Sequence, residues 1–196
     1  SGLTSKLATD RPSGVFSQLY GSSEENIELK NIQLVNTTME NASYPAAALL
    51  GEGEFVKITN CQVYWENTSE HTTNLREILG DSEKGFQYKI KSGAQAGGLA
   101  GRLSNSEVTN SFAATLIEGS TLSIGGLVGE AEHTSINQSY AASYLKGKSA
   151  SGLIGSISGT NQISNSYAVG FIESLANGKA AGLCLGKGTA DINNAY

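Results

Sequence analysis

Gly125-Gly126-Leu127-Val128-Gly129, followed by Ile136-Asn137-Gln138-Ser139-Tyr140-Ala141, decides how this chain is read. The pair of segments recurs. Gly97-Gly98-Leu99-Ala100-Gly101 precedes Val108-Thr109-Asn110-Ser111-Phe112-Ala113, and Gly152-Leu153-Ile154-Gly155 precedes Ile163-Ser164-Asn165-Ser166-Tyr167-Ala168. A fourth copy, Gly182-Leu183-Cys184-Leu185 before Ile192, has leucine in place of the last glycine. Weaker copies lie upstream: Ala48-Leu49-Leu50-Gly51 before Ile58, and Gly14-Val15-Phe16 before Leu29 across an enlarged turn. The anchors Leu29, Ile58, Val108, Ile136, Ile163 and Ile192 are separated by 29, 50, 28, 27 and 29 residues. A unit of that size cannot bury its own apolar face, so copies must stack on one another. The one long interval marks an insertion over residues 66–93.

Within each copy the apolar runs are short, β-branched and bounded by glycine, which suits strands and not the three-and-four spacing of helices. The slot five residues after the anchor holds Leu34, Val63, Ala113, Ala141 or Ala168, small enough for a narrow interior. A turn of 27 to 29 residues holds three short strands and three corners. The chain is therefore expected to be all-β: one parallel β-solenoid domain over residues 1–196, of about six coils, right-handed by the crossover rule. At about 4.8 Å per coil the rod would be about 30 Å long. Asn31, Asn60, Asn110, Gln138, Asn165 and Asn194, two places after each anchor, are expected to stack as an amide ladder at one corner. The motif glycines take a second corner, through positive φ or close backbone approach, so Gly129→Val should harm folding more than a change at Glu130, read as exposed. In the insertion, Thr72–Gly80 carries a capped, helix-spaced pattern and Phe86–Lys91 alternates as a strand would.

Composition agrees with tight turns: 24 glycines, two prolines and 16% charged residues in 196. Net charge is −5 with no basic stripe, which argues against nucleic acid as a partner. No apolar run reaches the roughly 20 residues that span a bilayer. The chain opens and stops inside the pattern, as a piece of a longer protein would. Cys61 sits in the slot of Ser111, Ser139 and Ser166, and Cys184 in that of Ala100, Val128 and Ile154; both are expected as buried free thiols, too far apart for a disulfide.

The GGLVG segment followed by Ile-x-Asn-Ser-Tyr-Ala resembles the GLUG repeat of secreted bacterial proteins, over residues 13–65 and 94–196. The repeat occurs in large surface adhesins and in regions upstream of IgA-specific zinc metalloproteases. The resemblance implies an extracellular, secreted or cell-surface setting and transfers no catalytic residue.

Catalysis and cofactors find little support in the residues. His71 and His133 have no second histidine at the spacing a zinc site needs, and no calcium-loop pattern is present. Asp81, Glu83 and Glu77 read as a solvated acidic loop. Ser111, Ser139 and Ser166 belong to a repeating slot, which argues packing over nucleophilic catalysis. Glu107, Glu118, Glu130, Glu132 and Glu173 do not recur at one repeat position, so they read as scattered and not as a cleaving groove. No enzymatic activity and no cofactor or metal are expected.

The candidate partner-binding residues are Phe112, Tyr140, Tyr167 and Tyr196, which share one slot and would form an aromatic stripe at coil spacing. Gln33 and Gln62 hold that slot earlier, and Tyr64 and Trp65 read as a separate aromatic pair. The stripe could dock a host glycan or protein, or its rings could simply stack on one another. Two functions fit: a non-catalytic module that spaces, presents or adheres, or an accessory region that engages immunoglobulin for an IgA-specific metalloprotease. A His-Glu-x-x-His segment elsewhere in the parent protein would favour the second.

Overall fold

The computed structural model describes residues 4–6, 10–64 and 89–196. Among these there is no helix, and the strands pair in parallel between successive turns of a β-solenoid. One face stacks Phe16–Tyr20, Leu50–Glu54, Ala100–Ser104, Val128–Glu132, Ile154–Ser158 and Cys184–Gly186. A second stacks Ile27–Lys30, Val56–Thr59, Glu107–Thr109, Ser135–Asn137, Thr160–Ser164 and Thr189–Asn193. The third face is wider. It carries Gln33–Val35, Gln62–Tyr64, Phe112–Ala114 and the first parts of Tyr140–Ser151 and Tyr167–Ala181 in one run. A second run beside it joins Thr4–Lys6, Thr38–Asn41, Ile90–Ser92, Leu116–Gly125 and the later parts of the two long strands.

The anchors are floor-to-floor neighbours, as their spacing requires: Leu29 opposes Ile58, then Val108, Ile136, Ile163 and Ile192 in turn. Strand alternation sends the anchor and the slot five later inward. The four central anchors are fully buried, as are Ala113 and Ala141. Leu49, Leu99, Leu127 and Leu153 of the glycine-leucine motif complete that core from the opposite wall. Because each floor is one core layer thick, the buried residues form one continuous cluster along the axis.

The corners explain the polar residues of the repeat. Asn31, Asn60, Asn110, Gln138, Asn165 and Asn194 all adopt left-handed φ between 48 and 58°. Asparagine tolerates that region better than most residues, which is why the slot keeps it. The amides also bond along the axis: Asn60 Nδ2 donates to Asn31 Oδ1 (2.7 Å), Asn110 to Asn60 (3.5 Å) and Asn194 to Asn165 (3.3 Å). At Gln138 the column breaks, and Asn165 donates to Asn137 Oδ1 instead.

A second left-handed corner, which the spacing of the anchors does not reveal, lies between the first and second faces at Phe55, Asn105, His133 and Gly159. Of the two explanations open for the motif glycines, close approach is the one found. A Cβ on Gly129 would stand 2.4 Å from the Gly101 carbonyl oxygen of the floor before. Glu130 differs from its reading as exposed: its side chain is 20% exposed and packed beside Arg102.

The chain rejoins the stack at Ile90, whose strand lies between Thr38–Asn41 and Leu116–Gly125, so the last residues of the stretch 66–93 belong to the ladder. The helical pattern at 72–80, the acidic residues Glu77, Asp81 and Glu83, Trp65 and His71 lie outside the described residues.

Candidate functional site

The third face brings the four stripe residues together. Phe112 opposes Tyr140, and Tyr140 opposes Tyr167, in strict register. The rings stack with centroids 4.9 Å apart for Phe112–Tyr140, 5.0 Å for Tyr140–Tyr167 and 5.8 Å for Tyr167–Tyr196, and interplanar angles of 4, 0 and 16°. Tyr64 joins the same stack, 6.0 Å from Phe112. It reaches Phe112 diagonally, since Gln62 is the residue directly opposite. The Gln33 amide then donates to the Tyr64 hydroxyl at 2.6 Å, capping the stack.

This geometry limits what the stripe can offer. Each internal ring has its faces against neighbouring rings, so Phe112, Tyr140 and Tyr167 present edges outward. Tyr196, the last ring of the stack in this sequence, is 79% exposed. Burial and the neighbouring Tyr167 push the Tyr140 phenol above its ordinary pKa.

Beside the aromatic run lies a column with alternating charge. The register reads Lys6, Glu40, Lys91, Glu118, Lys146, Glu173. Lys91 Nζ is 3.8 Å from Glu40, Lys146 is 3.0 Å from Glu173, and Lys89 is 3.3 Å from Glu118. The Tyr144 hydroxyl also donates to Glu173. Burial first, and then that bond, push the Tyr144 phenol up to about 12, while the Tyr144 and Lys146 bonds hold the Glu173 carboxyl below its usual range. An open cleft of about 440 Å³ runs along this column, bordered also by Asn41, Ser92, Ser120 and Leu175.

The first face carries another charge cluster. Arg102 lies 3.5 Å from Glu52, 3.6 Å from Glu130 and 3.5 Å from Glu132. Of the glutamates that look scattered in the sequence, Glu118 and Glu173 share one column, while Glu107, Glu130 and Glu132 lie in three others. Glu52 and Glu130 share a column with Arg102, Glu54 shares one with Glu132, and Glu40, Glu118 and Glu173 share the alternating column. What hid them is the basic or neutral residue that replaces glutamate on the intervening floors.

The serine slot is a hydrogen-bond ladder. Ser111 N–H donates to Ser139 Oγ (3.2 Å), and Ser139 N–H to Ser166 Oγ (3.2 Å). Each hydroxyl donates in turn to a carbonyl two residues back, Ser139 to Asn137 at 2.8 Å. Cys61 fills the same slot, its N–H donating to Ser111 Oγ, and burial pushes its thiol pKa up. The second corner repeats the device: Val56 N–H donates to Ser106 Oγ, and Thr134 N–H to Asn161 Oδ1. The sequence signal for it is the Asn105-Ser106 pair, five residues ahead of the matching Asn110-Ser111. Both cysteines are free, Cys61 buried and Cys184 only partly buried. His133 is exposed, with its Nδ1 accepting from Thr160 N–H at 3.3 Å and its ring over Gly159, where a Cβ would collide. Among the described residues no three of His, Cys, Asp and Glu converge as metal ligands, and no helix is long and apolar enough to cross a membrane.

The fold and its columns define the chain as a parallel β-solenoid with side-chain ladders on its faces and corners. No protein-family model matches it, and neither a curated protein nor a solved structure is significantly similar to it.

Proposed function

We propose that this chain is a non-catalytic GLUG-type solenoid module of a secreted or surface-attached bacterial protein, which spaces or presents neighbouring parts and adheres through one face. The observation that carries this reading is the use made of the repeated polar residues. Amides, hydroxyls, phenols and charges pair with the next floor, which stiffens a rod and leaves few of them directed at a small-molecule substrate. The adhesive surface is the run of Phe112, Tyr140, Tyr167 and Tyr196. Because the internal rings show edges and not faces, the partner class that fits is a protein and not a glycan, whose sugars need ring faces to stack upon. An immunoglobulin is one such protein.

The test is capture of serum proteins on the immobilised module, run beside a glycan array, with Tyr140→Ala and Tyr167→Ala in parallel. Specific capture lost in both variants supports the stripe as the adhesive surface. Equal binding by wild type and variants removes it. Polysaccharide turnover that disappears in Glu130→Gln would replace the whole reading with an enzymatic one.

A further inference from the structure

Among the described residues, only the charged column of the third face alternates in sign without a break. Glu40, Lys91, Glu118 and Lys146 stand opposite one another on four successive floors. Each of the four side chains stays 32 to 53% exposed, despite the ion pairs it makes within the chain. Both signs therefore meet solvent at intervals of about 4.8 Å. On the other two faces the alternation fails at a neutral residue. The first reads Glu52, Arg102, Glu130, Ser156, and the second Lys57, Glu107, Ser135, Gln162.

The ground beside the column is low. Ala42, Gly93 and Ser120 border the cleft of about 440 Å³ together with all four charges. Their short side chains leave room for the long side chains of a partner to lie against the column. Leu175, on the same border, is 39% exposed and adds apolar surface.

We propose that this face docks the same face of a second copy, the two rods antiparallel, as an isologous dimer. The order of the column selects that arrangement. A two-fold axis along the rod would set each charge against itself. A two-fold axis across the rod reverses the column, and midway between two floors it sets every lysine against a glutamate. The cleft spans the floors from Glu40 to Lys146, so its midpoint puts the axis between Lys91 and Glu118. Lys91 then faces Glu118 of the second copy and Glu40 faces Lys146, each contact occurring twice. Four inner floors suffice, so the match does not depend on how the column begins or ends. Exposed pairs are worth little singly, so the dimer is weak and salt-sensitive. The proposal goes beyond the spacer reading and does not rest on the aromatic stripe.

Sedimentation velocity on the 196-residue protein tests it, over a concentration series at low and at high salt. Wild type is expected to pass from monomer to dimer and no further, with the dimer lost as NaCl rises. Lys91→Glu sets glutamate against Glu118 at both contacts, and Glu118→Lys sets lysine against Lys91. Each variant alone should dimerise about tenfold more weakly. Mixed one to one, the two should associate again, because every contact between positions 91 and 118 is once more a lysine–glutamate pair. Glu40→Lys carries the same charge as Glu118→Lys but should not rescue Lys91→Glu; its own complement is Lys146→Glu. Strain within a variant's own column is the same alone and in the mixture, so recovery reads contact between copies, and circular dichroism of each variant confirms the β fold. A protein monomeric throughout the series at low salt, one that grows beyond the dimer, or rescue of Lys91→Glu equally by Glu118→Lys and Glu40→Lys would overturn the proposal.

Discussion

Gly152 and Gly182 occupy the same place in successive copies of the motif, and their substitution by alanine separates close approach from backbone conformation as the cause of the repeat. Neither has positive φ. A Cβ on Gly152 would lie 2.1 Å from the Gly182 carbonyl oxygen and 2.7 Å from the Ala168 Cβ. Ordinary contacts need about 1 Å more, and floors hydrogen-bonded at about 4.8 Å cannot part by that much without losing ladder bonds. Overpacking of this kind costs about 1–3 kcal/mol, and a strained or broken inter-floor bond adds about 1. Gly152→Ala should therefore lose about 3 kcal/mol, or about 10 °C in Tm for a domain of this size. In the 196-residue chain the same methyl at Gly182 meets nothing within 4 Å. Gly182→Ala should be neutral or up to about 1 kcal/mol stabilising, since alanine restricts the unfolded chain. Urea unfolding of both variants at low protein concentration decides between these outcomes. Equal losses at the two sites would refute the argument, because they would place the need for glycine within the floor and not between floors.

Ser139→Ala should cost about 1–3 kcal/mol in urea unfolding, because it strips the acceptor from the buried Ser111 N–H, and Ser139→Cys, which copies the natural Cys61 slot, should recover part of that loss. Arg102→Ala should cost about 1 kcal/mol at low salt, since it leaves Glu52, Glu130 and Glu132 facing one another; added NaCl should shrink the deficit, and a loss indifferent to salt would point to packing alone. The Tyr144 phenol titrates near 12 when folded and near 10 when unfolded, so the folded state binds the proton more tightly. Its contribution is complete below pH 10 and is lost as pH rises toward 12, and Tyr144→Phe should flatten that part of the stability profile and remove the latest phase of tyrosine absorbance titration.

How far the sequence could be read depends on whether a feature repeats in kind or only in position. The anchors, the amide corner and the serine slot hold similar residues on floor after floor, because each meets the same backbone demand: burial, left-handed φ, or an acceptor for the next N–H. Those demands act within about one coil, so periodicity alone discloses them. The alternating column from Lys6 to Glu173 escapes the same method. Its members are neighbours because the backbone register sets them opposite one another, and the residue type changes at each step where a pattern search looks for sameness. Arg102 hides its glutamates in the same way.

The 27-to-29-residue period by itself determined a parallel solenoid, its interior and one amide corner, because a repeat that short has no other way to bury its apolar face. Only the tertiary structure decided that the stripe's rings cover each other's faces, and that the glycines serve approach between floors and not a turn. Each of these is a relation between floors, and the distance from one floor to the next is set by backbone hydrogen bonds that no single copy contains.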